Sequence, residues 1–183
     1  LVVISGPSAS GKTTVVGMVM RECPLPLQFS VSATTRRPRE GEKDGVSYHF
    51  LAPEEFARRR AAGDFLECFE VYGRGYWYGT LWSEVTSGLS AGKWVVLEID
   101  VQGTKAVLER FPDAVTIFVD PVSMDELERR LRARNTETEE EITRRLAEAR
   151  RELSTASIYR YQVTNDVPER AAAEICNILI QNQ

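Results

Sequence analysis

The segment Gly6-Pro7-Ser8-Ala9-Ser10-Gly11-Lys12-Thr13 constrains this chain more than any other. It fits G-x-x-x-x-G-K-[ST], the pattern of a phosphate-binding loop. Its flanks agree. Upstream, Leu1-Val2-Val3-Ile4 is a short apolar run rich in β-branched residues and reads as a buried parallel strand. Downstream, Thr13 to Arg21 lacks Pro, holds one glycine at Gly17, and reads as a helix. A strand, a glycine-rich loop and a helix N-terminus together aim backbone N–H groups at an anion. Gly6 and Gly11 permit backbone angles and a close approach that a Cβ would obstruct. Lys12 is then expected to reach the β- and γ-phosphates of a nucleoside triphosphate, and the Thr13 hydroxyl to bind Mg²⁺. The alternative is a Gly/Ser loop with no ligand. The motif implies a triphosphate; it leaves open where the phosphoryl group goes.

A chain of 183 residues, 43% apolar and 27% charged, suits one α/β domain with small inserted lobes. The net charge of −4 argues against a general nucleic-acid or membrane-surface binder, whose footprint would be basic. No apolar run approaches the roughly 20 residues that span a bilayer, and no signal peptide is visible. Cys23, Cys68 and Cys176 are scattered, with no C-x-x-C pair, and read as free thiols. His49 stands alone and reads as structural or surface.

Further apolar runs at Trp94–Leu97 and Val115–Val119, and a weaker one at Tyr161–Thr164, read as core strands with helical patterns between them. That alternation implies a parallel sheet covered on both faces. Two stretches break it. Residues 33–80 are rich in Arg, Gly, Tyr and Phe. They hold short strand candidates at Ser47–Phe50 and Phe65–Val71, and a helix with Pro53 near its start and Gly63 at its end. This reads as an inserted lobe. Residues 121–151 hold Ser123-x-x-Glu126 and Thr138-x-x-Glu141, each a capping box opening a helix. The polar link Arg134-Asn135-Thr136-Glu137 makes them a helical hairpin, either a swinging lid or a static surface pair.

Chemistry-bearing residues cluster in these segments. Arg36, Arg37 and Arg39 lie within four residues, and Arg36 and Arg39 could converge on one anion through bidentate forks. The alternative is a solvated arginine cluster. Glu67 in Phe65-Leu66-Glu67 could accept hydrogen bonds from N1–H and N2–H₂ of guanine, a donor pair that adenine lacks. Taken alone, it reads rather as an ordinary surface acid, and the aromatics of Gly75-Tyr76-Trp77-Tyr78-Gly79-Thr80 as packing. Glu98 and Asp100 directly follow a buried strand, at the sheet edge where open α/β sheets bind ligands, and could reach a Mg²⁺ shell or the acceptor. On the hairpin, Arg130 and Arg134 are spaced i, i+4 and share a face, with Arg144 and Arg145 on the second helix. Arginines there could neutralise a transferring phosphoryl group, or pair with the glutamates at 137 and 139–141.

Taken together and in order, these segments resemble guanylate kinases. The resemblance spans essentially the whole chain. It rests on SGPSASGKT, SVSATTRRPREGE, FLE, YGT, LEIDVQG and RNTETEEEITRRL. It implies a P-loop nucleoside monophosphate kinase fold, α/β with a parallel sheet flanked by helices. The implied core is about 1–32, 81–120 and 152–183, with a mixed α/β GMP-binding lobe at about 33–80 and a helical lid at about 121–151. The implied reaction moves the γ-phosphoryl group of ATP to GMP or dGMP, with Mg²⁺. By matching position, residues 6–14 (Gly6, Pro7, Ser8, Ala9, Ser10, Gly11, Lys12, Thr13 and Thr14) would hold ATP, and Asn165 would lie near the adenine. Ser32, Glu67 and Thr80, with Asp100, would recognise guanine; Arg36, Arg39, Tyr48 and Tyr78 would hold the GMP phosphate. Lys12, Arg36, Arg130, Arg134 and Arg145 would carry catalysis, and Thr13 would bind Mg²⁺ with Glu98 or Asp100 acting through water.

Three positions depart from the family pattern. Glu98 stands for a usual aspartate, Asn135 for a usual glycine, and the loop 72–77 is two residues longer. The resemblance further implies a cytoplasmic monomer or small homo-oligomer serving guanine nucleotide synthesis, with no nucleic-acid or membrane partner. Two rivals stand beside it. One is a guanylate-kinase-like scaffold module that binds phosphopeptides without chemistry, in which the P-loop is typically degraded. The other is a P-loop kinase for a different phosphate ester, which would lack the Ser32, Glu67 and Thr80 set.

Overall fold

The structure, a computed structural model, describes residues 1–70, 75–133 and 138–183. In chain order the elements begin β1 (Val2–Ser5), α1 (Lys12–Glu22), β2 (Leu27–Phe29), β3 (Ala33–Thr34), β4 (His49–Phe50) and α2 (Pro53–Ala61). They continue with β5 (Phe65–Glu70), β6 (Trp77–Leu81), α3 (Trp82–Ser90), β7 (Trp94–Glu98) and α4 (Val101–Arg110). The last are β8 (Val115–Pro121), α5 (Met124–Ala133), α6 (Glu139–Leu153), β9 (Tyr161–Asn165) and α7 (Pro168–Gln181). The fold is α/β, with parallel strands flanked by helices and a second, smaller mixed sheet. It divides into two compact units: Leu1, Pro26–Leu97 and Gln102–Ala114 form one; Val2–Leu25, Glu98–Val101 and Val115–Gln183 form the other.

In the first unit β2 and β7 pair in parallel, with Leu27 opposite Trp94. The smaller sheet runs β4-β3-β6-β5. Strands β3 and β4 are parallel, and β6 is antiparallel to both β3 and β5. A register shift between Phe65 and Glu67 brings Glu67 opposite Thr80. Helix α2 opens on Pro53 with Glu54 and Glu55 in its first turn and closes with Arg58, Arg59 and Arg60, complementing the helix dipole at both ends. Its Phe56 is buried with Ala33, Phe65 and Leu81, stacked on the Phe65 ring at 4.5 Å. The expected strand at Ser47–Phe50 shortens to His49–Phe50, because β3 offers only Ala33 and Thr34 as partners. Tyr48 makes one isolated bridge to Asp44.

In the second unit β1 and β8 run parallel from the Val2–Val115 pair, and β9 continues the ladder from the Ile117–Tyr161 pair. Val2, Val3, Ile4, Ile117, Phe118 and Val119 are fully buried, as strands covered on both faces require. Helices α1 and α7 pack together, and Val15, Val19, Ile175 and Leu179 are inaccessible to solvent. Helices α5 and α6 form the expected hairpin over Leu127, Leu131, Ile142, Leu146 and Ala149. The Thr138–Glu141 capping box is complete. At α5 the Ser123 hydroxyl accepts the Glu126 N–H at 3.1 Å, while the Glu126 carboxylate receives Arg129 and Arg130. Cys23, Cys68 and Cys176 are free thiols.

Candidate functional site

The second unit carries the phosphate-binding loop between β1 and α1. Its two glycines are dictated by space. A Cβ on Gly6 would lie 2.4 Å from the Val119 carbonyl oxygen. Gly11, at φ +83°, would bring one to 2.4 Å from Asn165 Nδ2. Ala9 also holds a positive φ of 67°, a strained angle that a loop shaped for a ligand sustains. Within the loop the Ser10 N–H donates to the Pro7 carbonyl at 3.1 Å, and Lys12 Nζ to the Gly6 carbonyl at 2.9 Å. Helix α1 starts at Lys12, so its first-turn amides end on the loop.

Three side chains from distant parts of the chain converge on this loop. Arg130 on α5 donates to the Ser10 carbonyl at 3.2 Å, and Asn165 at the end of β9 donates to the same oxygen at 2.6 Å. Arg145 on α6 donates to Ser8 Oγ at 3.3 Å. Asn165, expected near an adenine, is 1% exposed and sits against the loop backbone. The buried Ser10 Oγ and Asn165 Oδ1 have no hydrogen-bond partner among the described residues. Glu126 Oε1 accepts Arg130 Nε at 2.9 Å, and Arg129 and then Arg130 hold its carboxyl down at about 2. Arg134 and Asn135 lie outside the described residues, as do positions 72–74 of the longer loop.

Thr13 Oγ1 donates to Glu98 Oε1 at 2.7 Å. The longer glutamate side chain therefore reaches the loop threonine. A hydroxyl and a carboxylate are hard oxygen donors of the kind Mg²⁺ prefers. Among the described residues no three His, Cys, Asp or Glu side chains cluster as a metal cage. Asp100 is half-buried in the turn between β7 and α4.

The first unit carries the other expected residues. Glu67 is 9% exposed and accepts the Thr80 hydroxyl at 2.6 Å across the β5–β6 ladder. Tyr78 lies two residues from Thr80 on β6 and so shares its face. Arg36 donates from Nε to the Tyr78 hydroxyl at 3.1 Å, and lies over the Tyr48 ring at 5.5 Å. The Tyr48 and Tyr78 rings meet edge to face at 5.8 Å. Ser32 is half-buried, and its carbonyl accepts the His49 N–H at 2.9 Å. The His49 ring pairs with Glu84 at 3.0 Å, in keeping with a structural histidine.

Glu42 was not singled out by sequence. Its carboxylate receives Arg36 Nη1 at 2.9 Å and Nη2 at 2.8 Å, and the Arg39 N–H at 2.7 Å. The Arg36 contact holds Glu42 below the usual carboxylate range, and the reciprocal contact raises Arg36. Arg36 thus spends its fork on Glu42, whereas the Arg39 side chain stands at an exposed position. The available signal was the spacing Arg39-x-x-Glu42 with Gly41 inside it, a turn that returns the glutamate to the arginines.

A P-loop joining a buried parallel strand to a helix, with arginines from a helical hairpin on the loop and a small mixed sheet in the same chain, defines a P-loop kinase fold. The comparisons carry this to a family. The family model for guanylate kinase matches residues 1–182. A guanylate kinase of Rhodopirellula baltica is 55% identical over 184 residues, covering 100% of this chain and 88% of the relative. One of Symbiobacterium thermophilum is 47% identical over 180 residues, covering 98% and 84%. The crystal structure of guanylate kinase from Anaplasma phagocytophilum superposes with a TM-score of 0.83 at 34% identity, covering 100% of this chain and 85% of that one. The chain belongs to the guanylate kinase family.

Proposed function

We propose that this chain transfers the γ-phosphoryl group of ATP to GMP, and to dGMP, giving ADP and GDP. Family membership supports the reaction. The observation that carries the choice of base is the buried Glu67–Thr80 pair at 2.6 Å. A carboxylate fixed by a hydroxyl accepts guanine N1–H and N2–H₂, and would meet the wrong pattern on adenine. Ser32 and Asp100 complete the base contacts in this reading. Arg36, Arg39, Tyr48 and Tyr78 hold the GMP phosphate.

On the donor side, residues 6–14 cradle the ATP phosphates and Lys12 neutralises the β- and γ-oxygens. Asn165 supports the cradle at the Ser10 carbonyl. Thr13 and Glu98 supply the oxygens for Mg²⁺, which when bound would spread the negative charge of the phosphates. Arg130, Arg134 and Arg145 bring positive charge to the phosphoryl group in flight. The GMP phosphate oxygen is already anionic near neutral pH, so no general base is needed. Catalysis then consists of alignment and charge stabilisation. In the same reading the α5–α6 hairpin acts as the lid, with 33–80 as the GMP-binding lobe and the rest as core.

The proposal extends to a cytoplasmic monomer or small homo-oligomer in guanine nucleotide synthesis. Among the described residues no helix is long and apolar enough to cross a membrane. Nothing in the site or the comparisons supports the phosphopeptide-binding alternative. The test is a nucleotide panel: ATP with GMP, dGMP, AMP, UMP or CMP. Turnover with GMP and dGMP alone is expected. No turnover with any acceptor, or a preference for another base, would overturn the reading.

A further inference from the structure

One carboxylate ties together the two arginines read as phosphate ligands. Glu42 grips the Arg36 guanidinium with both oxygens, at 2.8 and 2.9 Å, and accepts the backbone N–H of Arg39 at 2.7 Å. The turn is closed by the Glu42 N–H donating to the Arg39 carbonyl at 3.1 Å. Arg36 also donates from Nη1 to its neighbour's carbonyl, Arg37 O, at 2.8 Å, and from Nε to Tyr78 at 3.1 Å. Among the described residues these contacts use four of its N–H donors, out of the five a guanidinium has. One Nη2 proton remains, and the Tyr78 hydroxyl, whose oxygen accepts Arg36 Nε, keeps its own proton to donate. The side chains of Arg36 and Glu42 are 11% and 21% exposed, so the pair is well shielded from water.

A carboxylate beside an anion site is unfavourable in itself, since it repels the ligand. Its placement here has a physical reason if it orders the cations. A free arginine side chain carries much rotamer entropy. A bidentate partner removes that freedom before the ligand arrives. The backbone contact does the same for the turn that projects Arg39. We infer that Glu42 is a positioning residue for the acceptor phosphate: it holds Arg36 and the Arg39 turn in the binding geometry without touching the ligand. Arg36 then presents a single N–H beside the Tyr78 hydroxyl, and the phosphate is met by several single contacts from different residues.

This inference rests on the GMP kinase reading, so wild-type turnover of GMP is measured first; its absence refutes that reading and leaves Glu42 untouched. Glu42→Gln keeps the shape but loses the charge and one acceptor. Losing charge-assisted hydrogen bonds to Arg36 predicts a roughly ten- to hundredfold rise in KM for GMP, with KM for ATP and the thermal midpoint near wild type. Glu42→Asp keeps the charge and shortens the reach, and should fall between. In an Arg36→Lys background, Glu42→Gln should cost less than it does alone, because the part of its effect that passes through Arg36 is already lost. Three results overturn the inference. The first is an unchanged KM for GMP. The second is a lowered one, which would make Glu42 a competing anion. The third is full additivity with Arg36→Lys.

Discussion

Replacing Glu67 with Gln tests the proposed base reader at its most exact point. In the structure one Glu67 oxygen accepts the Thr80 hydroxyl at 2.6 Å, and Thr80 is fully buried. The amide oxygen of Gln can keep that bond. In the proposed reading its NH₂ then turns toward the base, where a carboxylate oxygen would face the guanine donors, and donor meets donor. Flipping the amide recovers a base contact and leaves its NH₂ against the Thr80 hydroxyl, which can reverse its own proton only if it finds another acceptor. Either way a charge-assisted hydrogen bond is lost, which costs about 1.5–3 kcal/mol, and a buried polar group is left mismatched. We expect a total near 3 kcal/mol, or roughly a hundredfold in kcat/KM for GMP. The assay is coupled turnover with GMP and AMP at saturating ATP, alongside a melting curve. The GMP value should drop while KM for ATP and the melting midpoint hold. Unchanged kcat/KM for GMP would refute the assignment; a loss accompanied by a raised KM for ATP and a lowered midpoint would point to a folding defect.

Lys12→Ala should reduce turnover by several orders of magnitude with a near-normal melting midpoint; near-normal turnover would remove Lys12 from the proposed chemistry. Gly11→Ala combines a φ of +83° with a Cβ 2.4 Å from Asn165 Nδ2, and should destabilise by about 1–3 kcal/mol, read as a lowered midpoint in thermal unfolding. The Glu126 carboxyl, held down at about 2 by Arg129 and Arg130, is depressed in the folded state. Its contribution is present above the unfolded carboxylate value and fades as pH falls toward about 2. Carbon-13 NMR titration should find that low midpoint in the wild type, and Arg129→Ala should raise it toward an ordinary glutamate. A Glu126 that titrates normally in the wild type would dissolve the pair.

How far the sequence could be read depended on whether the chemistry was local. The phosphate loop lies in consecutive residues, and Gly6 and Gly11 stand where the neighbouring Val119 carbonyl and Asn165 amide leave no room for a side chain. The runs Trp94–Leu97 and Val115–Val119 announced their strands because those strands are buried on both faces. The two-residue β3 has too few positions to show a period. The Glu67–Thr80 contact depends on a register shift between Phe65 and Glu67, and a strict alternation would have mispaired the strands from that point. The meeting of Arg130 and Asn165 at the Ser10 carbonyl was invisible for another reason. Its acceptor is a backbone oxygen, which carries no residue identity, and its donors lie far away in the chain.

Charge shows the same limit from the other side. A net charge of −4 argues against a broadly basic surface. It says nothing about the proposed ligand sites, because the carboxylates there are already spoken for. Glu42 is matched to Arg36, Glu126 to Arg129 and Arg130, and Glu98 takes the Thr13 hydroxyl. Each acid fixes a group that the proposed function needs in place. Replacing such an acid with its amide should therefore weaken anion binding even as it removes negative charge. That sign is opposite to the one a count of charges predicts, and the Glu42→Gln measurement decides between them.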